Sequence, residues 1–336
     1  MRLSADLSRG CLTMSPRLAS HVGSENTVKD LDILRQVLGD PKLNWLGFSY
    51  GTYLGTLYAD EFPDNVGRFV LDGAIDPSLD MMQVSKGQSD GFQVALGRFA
   101  ADCSRRASCP YPGSASAVLR GMNRLLARLD VVPMPTFGRQ RLVQAEALTA
   151  ILYSMYSPQI WSSLRYALRQ AVRNDGSGLQ FLSDFANDRT GPNTYATNMA
   201  SAFYAIGCWD EQSPPGAAAL GVAAERWARG ARVPEMARLL SWGNAPCSQW
   251  FDHTAAPAAP ASSTTTAPIL IVGTTFDPAT PYPWAVALSQ QLGTSTLLTY
   301  RGDGHTAYGS GSSCIERAVD AYLIDGRLPP AGTICR

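Results

Sequence analysis

The stretch Leu43-Asn44-Trp45-Leu46-Gly47-Phe48-Ser49-Tyr50-Gly51-Thr52-Tyr53-Leu54-Gly55 decides how this chain is read. Its first six residues are mostly apolar, with Asp40-Pro41 before them and a glycine-flanked turn after, which predicts a short buried strand. From Tyr50 to Phe62 the text turns helical and stops at Pro63. Gly47-Phe48-Ser49-Tyr50-Gly51 therefore falls where a strand meets a helix. A G-x-S-x-G in that place forces the serine into a strained turn, and small residues two before and two after it avoid a clash. The turn lifts the hydroxyl above the sheet edge. It also aims the N-terminus of the next helix, with the Tyr50 N–H, at a reacting carbonyl. Ser49 is thus the candidate nucleophile and Tyr50 the candidate oxyanion donor, against the alternative of an ordinary glycine turn. Gly55, one helical turn further, lets that helix pack closely.

Working outward, Val28, Leu31, Leu34, Val37 and Leu38 recur at helical spacing, with Ser24 to cap the start and Gly39 to stop the helix. Residues 66–71 read as a second strand ending in Asp72-Gly73. Helix, strand, helix, strand is the order of a parallel α/β sheet with crossover helices. Between 80 and 260 the strand signals fade, and 114–130, 141–156, 159–173, 178–187 and 195–206 look helical. That span is too long for a loop and reads as an inserted, mostly helical cap domain, closed by an Ala/Pro/Ser/Thr-rich linker at 255–266. Sheet signals return with a buried strand at 268–273, a helix at 282–292, a strand at 295–300 and a last helix at 312–325. The expected organisation is core over 1–79, cap over 80–260 and core again over 261–336.

A serine hydroxyl is a poor nucleophile at neutral pH and needs an imidazole to take its proton and an acid to orient that imidazole. The chain has three histidines. His21 precedes the first helix and His253 borders the linker. His305 sits in Gly302-Asp303-Gly304-His305, a loop just after the strand at 295–300, and it alone fits the order Ser, acid, His. Asp277, in Thr274-Thr275-Phe276-Asp277-Pro278-Ala279-Thr280-Pro281, follows the strand at 268–273, where ligand-facing groups lie in parallel sheets. Asp303 competes for the acid role but stands beside His305 and is expected to face away. Asp72 and Asp76 are expected to cap backbone in the turn that follows their strand.

Composition narrows the classes. Lys and Arg number 28 against 28 Asp and Glu, a balance that argues against a nucleic-acid or anionic-membrane partner. Hydrophobic residues at 45% with only 17% charged exclude disorder. No run of about 18 apolar residues predicts a membrane span. The start lacks the unbroken apolar core of a signal peptide, so any export signal is expected outside this chain. No pair of the seven cysteines has the C-x-x-C spacing of a zinc or redox site, so no metal is expected, and nothing suggests a cofactor. Cys103 with Cys109 and Cys314 with Cys335 are plausible disulfides of an oxidising compartment, with buried thiols as the alternative. Pairing Cys208 with Cys247 as well leaves Cys11 alone.

These motifs resemble the tripeptidyl-aminopeptidase family of bacterial α/β hydrolases, relatives of proline iminopeptidase. The resemblance rests on residues 26–39, on 46–55, on Val70-Leu71-Asp72-Gly73-Ala74-Ile75-Asp76-Pro77, on 277–281, on Gly304-His305-Thr306-Ala307-Tyr308-Gly309 and on 328–335. Through the 80–260 segment it is loose, carried by Ala205-Ile206-Gly207-Cys208 and Pro246-Cys247. It implies an exported serine exopeptidase, secreted or in the cell envelope, that takes peptides with a free N-terminus; it is silent on oligomeric state. Such an enzyme must bind the α-amine, and Asp210 and Glu211, next to Trp209, are the candidate anchor, against the alternative of a solvated acidic turn. One departure stands out. Family members carry further strands and an oxyanion loop before the elbow strand, whereas 48 residues precede Ser49 here, room for one helix and that strand. The expectation is an N-terminally shortened enzyme lacking the second oxyanion donor. An esterase or lipase-like hydrolase, and a catalytically impaired remnant, are the competing readings.

Overall fold

In the computed structural model every residue is described except 1, 139, 212–214 and 252–254, so His253 lies outside the described residues. The described residues form two compact units. One joins 1–88, 204–214 and 246–336; the other joins 89–203 and 215–245.

The first unit is built on a five-stranded sheet in which every neighbouring pair runs parallel. Leu43–Phe48 lies at one edge, followed by Val66–Asp72, Ile269–Phe276, Ser295–Asp303 and, at the far edge, the two-residue strand Ile334–Cys335. Because successive side chains alternate across a strand, the apolar runs feed two faces. Phe69, Leu71, Ile269 and Ile271 pack with Val28, Tyr58 and Leu288 from helices Ser24–Leu38, Tyr50–Glu61 and Tyr282–Gln291. Val70, Leu270, Val272 and Leu298 pack with Ile315, Val319 and Tyr322 of helix Ser313–Asp325 on the other face. Register carries the chemistry to one sheet edge: Phe48 pairs with Asp72, Asp72 with Val272, and Phe276 with Asp303.

The second unit is helical, with Ala115–Val131, Gln144–Met155, Trp161–Val172, Ser177–Ala186, Ala217–Ala228 and Pro234–Trp242. Leu96, Met122, Leu126, Ile151, Leu164 and Leu168 make the heart of its core.

Several expectations shift. The sheet unit claims more than 1–79 and 261–336. Residues 80–88 join it through the Gln88 amide, which donates to the Ala279 carbonyl at 3.0 Å. Asp210 and Ala259 bring in the described residues around them, Asp210 by accepting from Ser24 and the Ala259 N–H by donating to the Pro77 carbonyl at 3.1 Å, and the Cys208–Cys247 disulfide joins these two segments to each other. The 255–266 segment is irregular but laid down: Ala261 N–H donates to Gln291, and Ser262 N–H donates to Asp60. Ahead of Ser49 the chain holds two helices, Arg2–Met14 and Ser24–Leu38, where one was expected. Gly23, not Ser24, is the N-cap of the second of these. Three of the five residues of that helix's apolar stripe, Leu34, Val37 and Leu38, face solvent, since only its Val28 and Leu31 side meets the sheet core. All three expected disulfides are formed, and Cys11 is free.

Candidate active site

Ser49 follows the edge strand directly, with φ 52° and ψ −117°, a left-handed conformation that a non-glycine residue keeps only when its surroundings impose it. They do so here at both ends of the residue. Its N–H donates to the Asp72 carbonyl at 2.9 Å, and its own carbonyl accepts from the Thr52 N–H at 2.8 Å and the Thr52 hydroxyl at 2.6 Å. Gly47 is needed sterically, because a Cβ there would meet the Gly51 carbonyl and the Trp45 indole well inside contact distance. Gly51 is different: a Cβ there would find its nearest atom at 4.0 Å, so space does not demand glycine at that position. The Trp45 indole N–H donates to the Gly51 carbonyl at 2.9 Å and braces the first turn of the helix that carries the Tyr50 N–H.

Asp277 follows the strand Ile269–Phe276, buried with 3% exposure. His305 Nδ1 lies 2.9 and 3.0 Å from its two oxygens. Four more donors hold the carboxylate: the N–H groups of Ala279, Thr280 and Thr306, and the Thr280 hydroxyl. With two acceptor oxygens facing Nδ1, the imidazole carries its proton there, which leaves Nε2 as the basic nitrogen. Asp303, the competing acid, ends the strand before His305, and the carboxylate that meets Nδ1 is that of Asp277.

The Asp72-Gly73 backbone joins the two halves. Asp72 takes the Ser49 N–H, and Gly73, at φ 70°, passes so close to His305 that a Cβ would sit 3.2 Å from the ring's Cε1. Asp72 does bind backbone, as expected, but not in its own turn. Its carboxylate accepts from Ala307 N–H at 3.0 and 2.9 Å and from Tyr308 N–H at 2.7 Å, in the loop that carries His305. Burial pushes this carboxyl up to about 7, and those two backbone donors oppose the shift. Asp76 bonds Ser78 in its own turn, with the Gln291 amide as a further donor.

The helix Met199–Asp210 brings the acidic pair to the elbow, and the Cys208–Cys247 disulfide pins its end to the sheet unit. Asp210 accepts from Ser24 N–H at 2.8 Å, from the Ser24 hydroxyl at 2.6 Å and from the Tyr50 hydroxyl, the side chain next to Ser49. It therefore caps the helix Ser24–Leu38 from a distant point in sequence, which is the job expected of Ser24 itself. Burial raises the Glu211 carboxyl to about 7, opposed by the Met81 N–H and aided by the charges of Asp80 and Asp210. Tyr53 is pushed up first by burial and then by the charges of Asp210, Glu211, Glu25 and Asp60. Several carboxyl groups thus gather beside the elbow. Trp209 lines a cleft there with Gly23, Ser24, Tyr53 and Asp210, and its ring lies 5.5 Å from that of Phe251. Ser49 is not among the residues lining that cleft. Sequence reasoning missed Thr280 and the Asp72 grip on the His305 loop; the Asp277-Pro278-Ala279-Thr280 spacing was the signal for the first.

Residues 233–335 match the family of TAP-like proteins. Serine protease Hip1 of Mycobacterium tuberculosis strain H37Rv is 37% identical over 96% of this chain and 63% of its own length. Carboxylesterase B of the same organism is also 37% identical, over 98% of this chain and 64% of its own. The tripeptidyl aminopeptidase of Streptomyces lividans is 29% identical over 99% of this chain and 62% of its own. The chain thus spans somewhat under two thirds of the length of these relatives. Along nearly all of its length, then, the chain is similar to bacterial proteins named as a serine protease, a carboxylesterase and a tripeptidyl aminopeptidase, and its residues 233–335 match the TAP-like family.

Proposed function

We propose that this chain is a serine exopeptidase that releases short peptides, tripeptides by resemblance, from free N-termini. Ser49 Oγ attacks the scissile carbonyl while His305 Nε2 takes its proton, and the Tyr50 N–H stabilises the oxyanion. Asp277 holds His305 in the Nδ1–H tautomer. His305 then hands the proton to the leaving amine, and water hydrolyses the acyl-enzyme with His305 again as base. The observation that carries the reading is the buried Asp277–His305 pair at the same sheet edge as the strained Ser49 turn. Glu211, with Asp210, anchors the substrate ammonium, and Trp209 forms a wall of that subsite. The acidic surroundings of Tyr53 support this, since a field of carboxylates favours a cation. The three disulfides support a secreted or envelope location.

An esterase is the second reading, favoured by a carboxylesterase relative at the same identity as the protease. One experiment addresses both. Fluorophosphonate labelling is compared between the parent and Ser49→Ala, and hydrolysis is then followed for a tripeptide anilide, its N-acetylated form and a short-chain ester. The expected result is Ser49-dependent labelling and a preference for the free amine of about 10- to 100-fold, the worth of a hydrogen bond to a charged group. Equal rates on the two anilides with faster ester hydrolysis favour the esterase. No labelling of the folded chain overturns both.

A further inference from the structure

We infer that Asp72 is a positioning residue that locates the base relative to the nucleophile: its main chain holds the turn bearing Ser49, and its side chain holds the loop bearing His305. The inference rests on the reading of Ser49 and His305 as the reacting pair. Asp72 ends the strand Val66–Asp72, between the edge strand and Ile269–Phe276, and is fully buried. Its carbonyl accepts the Ser49 N–H at 2.9 Å, and its carboxylate accepts from the two residues that lie second and third after His305, 307 and 308. The loop needs such a hold. Gly304 and Thr306, on either side of His305, have φ of 103° and 66°, and an L-residue such as threonine stays at positive φ only when tertiary contacts fix it. Asp277 supplies one contact through the Thr306 N–H at 3.2 Å; Asp72 supplies the next two N–H groups.

Both oxygens of Asp72 are used, and that makes the carboxylate hard to replace. In Asp72→Asn the amide oxygen can take over the position that accepts from Ala307 and Tyr308. The amide nitrogen then faces the Ala307 N–H from the other position, donor against donor, at a spacing of 3.0 Å. The side chain keeps its size while the grip weakens, and the loop that carries the imidazole shifts. Misplacement on that scale lowers the chemical step by about 10- to 100-fold and leaves substrate binding alone.

The test measures kcat and KM on the tripeptide anilide, and the His305 tautomer from imidazole nitrogen chemical shifts, in the parent, Asp72→Asn and Asp76→Asn. Far-UV circular dichroism and the unfolding midpoint report on the fold. The expected result is a folded Asp72→Asn with kcat down about 10- to 100-fold, KM within about twofold of the parent, and a mixture of tautomers where the parent has one. Asp76→Asn, which bonds only its own turn and Gln291, behaves as the parent. An Asp72→Asn variant that keeps both kcat and a single tautomer overturns the inference, as does one that fails to fold, since Asp72 is then a core residue only. If the parent shows a single Nδ1–H tautomer that depends on Asp72 but hydrolyses nothing, positioning stands and the hydrolase reading falls.

Discussion

Asp277 and His305 meet across 28 residues of sequence with Nδ1 at 2.9 and 3.0 Å from the two oxygens of one buried carboxylate. Five donors converge on that carboxylate, so its orientation is fixed before any substrate arrives. Replacing an orienting acid by its amide turns a donor toward the imidazole and favours the wrong tautomer. Asp277→Asn is expected to lower kcat by about 1,000- to 10,000-fold with little change in KM. Steady-state kinetics on the tripeptide anilide checks this, and a loss under tenfold would remove Asp277 from the acid's role.

Thr280 gives a gentler handle on the same carboxylate. It is buried, and its hydroxyl sits 3.0 Å from Asp277 Oδ2 and 3.3 Å from His305 Nδ1. With Nδ1 already protonated, the hydroxyl donates to Asp277 and limits the rotation of the carboxylate. Thr280→Val removes that donor and keeps the shape, so kcat is expected to fall about tenfold, the worth of one hydrogen bond to a charged group. Thr280→Ser restores the hydroxyl and is expected to recover most of the rate. If serine and valine behave alike, packing and not the hydrogen bond is what Thr280 contributes.

The parts of this site that were legible in the sequence are those fixed by local rules. The strand at 43–48, the helix after Ser49 and the strand that delivers Asp277 each announce themselves by apolar period and by turn residues. What escaped lies in long-range contacts. The first turns of helix Met81–Ser104 mix Met81, Met82 and Val84 with Gln83, Ser85, Lys86 and Gly87, and its apolar rhythm of Phe92, Leu96, Phe99 and Cys103 starts only in its later turns. Ile334–Cys335 is a strand of two residues, held beside Thr299 and Tyr300 with the Cys314–Cys335 disulfide behind it, too short for any pattern to show. The hold of Asp72 on Ala307 spans 235 positions, and no spacing rule reaches that far. Ser24 reads as a cap from its type and place, yet Asp210 does the capping because the fold returns a carboxylate to that helix start.

The proposed anchoring of a substrate amine by Glu211 predicts a pH dependence whose sign follows from one shift. Burial raises the Glu211 carboxyl to about 7, so it gains its charge as pH rises through that value. A peptide α-amine loses its own charge above about 8. The attraction between the two exists only in the window between these limits. KM for the free-amine anilide is therefore expected to be lowest from about pH 7 to about pH 8 and to rise on both sides. In Glu211→Gln the acid-side rise is expected to vanish while the alkaline side remains. A KM profile with the same acid limb in the parent and the variant would leave Glu211 without a part in binding the amine.

The disulfide between Cys208 and Cys247 connects stability to specificity. It closes a 39-residue separation and lies two residues before Asp210, at the end of the helix that brings the acidic pair beside Tyr50. By loop entropy alone, the double substitution Cys208→Ala with Cys247→Ala is expected to cost about 3–4 kcal/mol of stability, read as a lower urea midpoint. Asp277, His305 and the Ser49 turn are held by strands and hydrogen bonds that do not pass through this bridge. The variant, assayed below its own midpoint, should therefore keep its fluorophosphonate labelling rate while losing most of its preference for the free over the acetylated N-terminus. If labelling and preference fall together, the bridge supports the elbow as a whole, and the acidic pair has no separate standing as the specificity element.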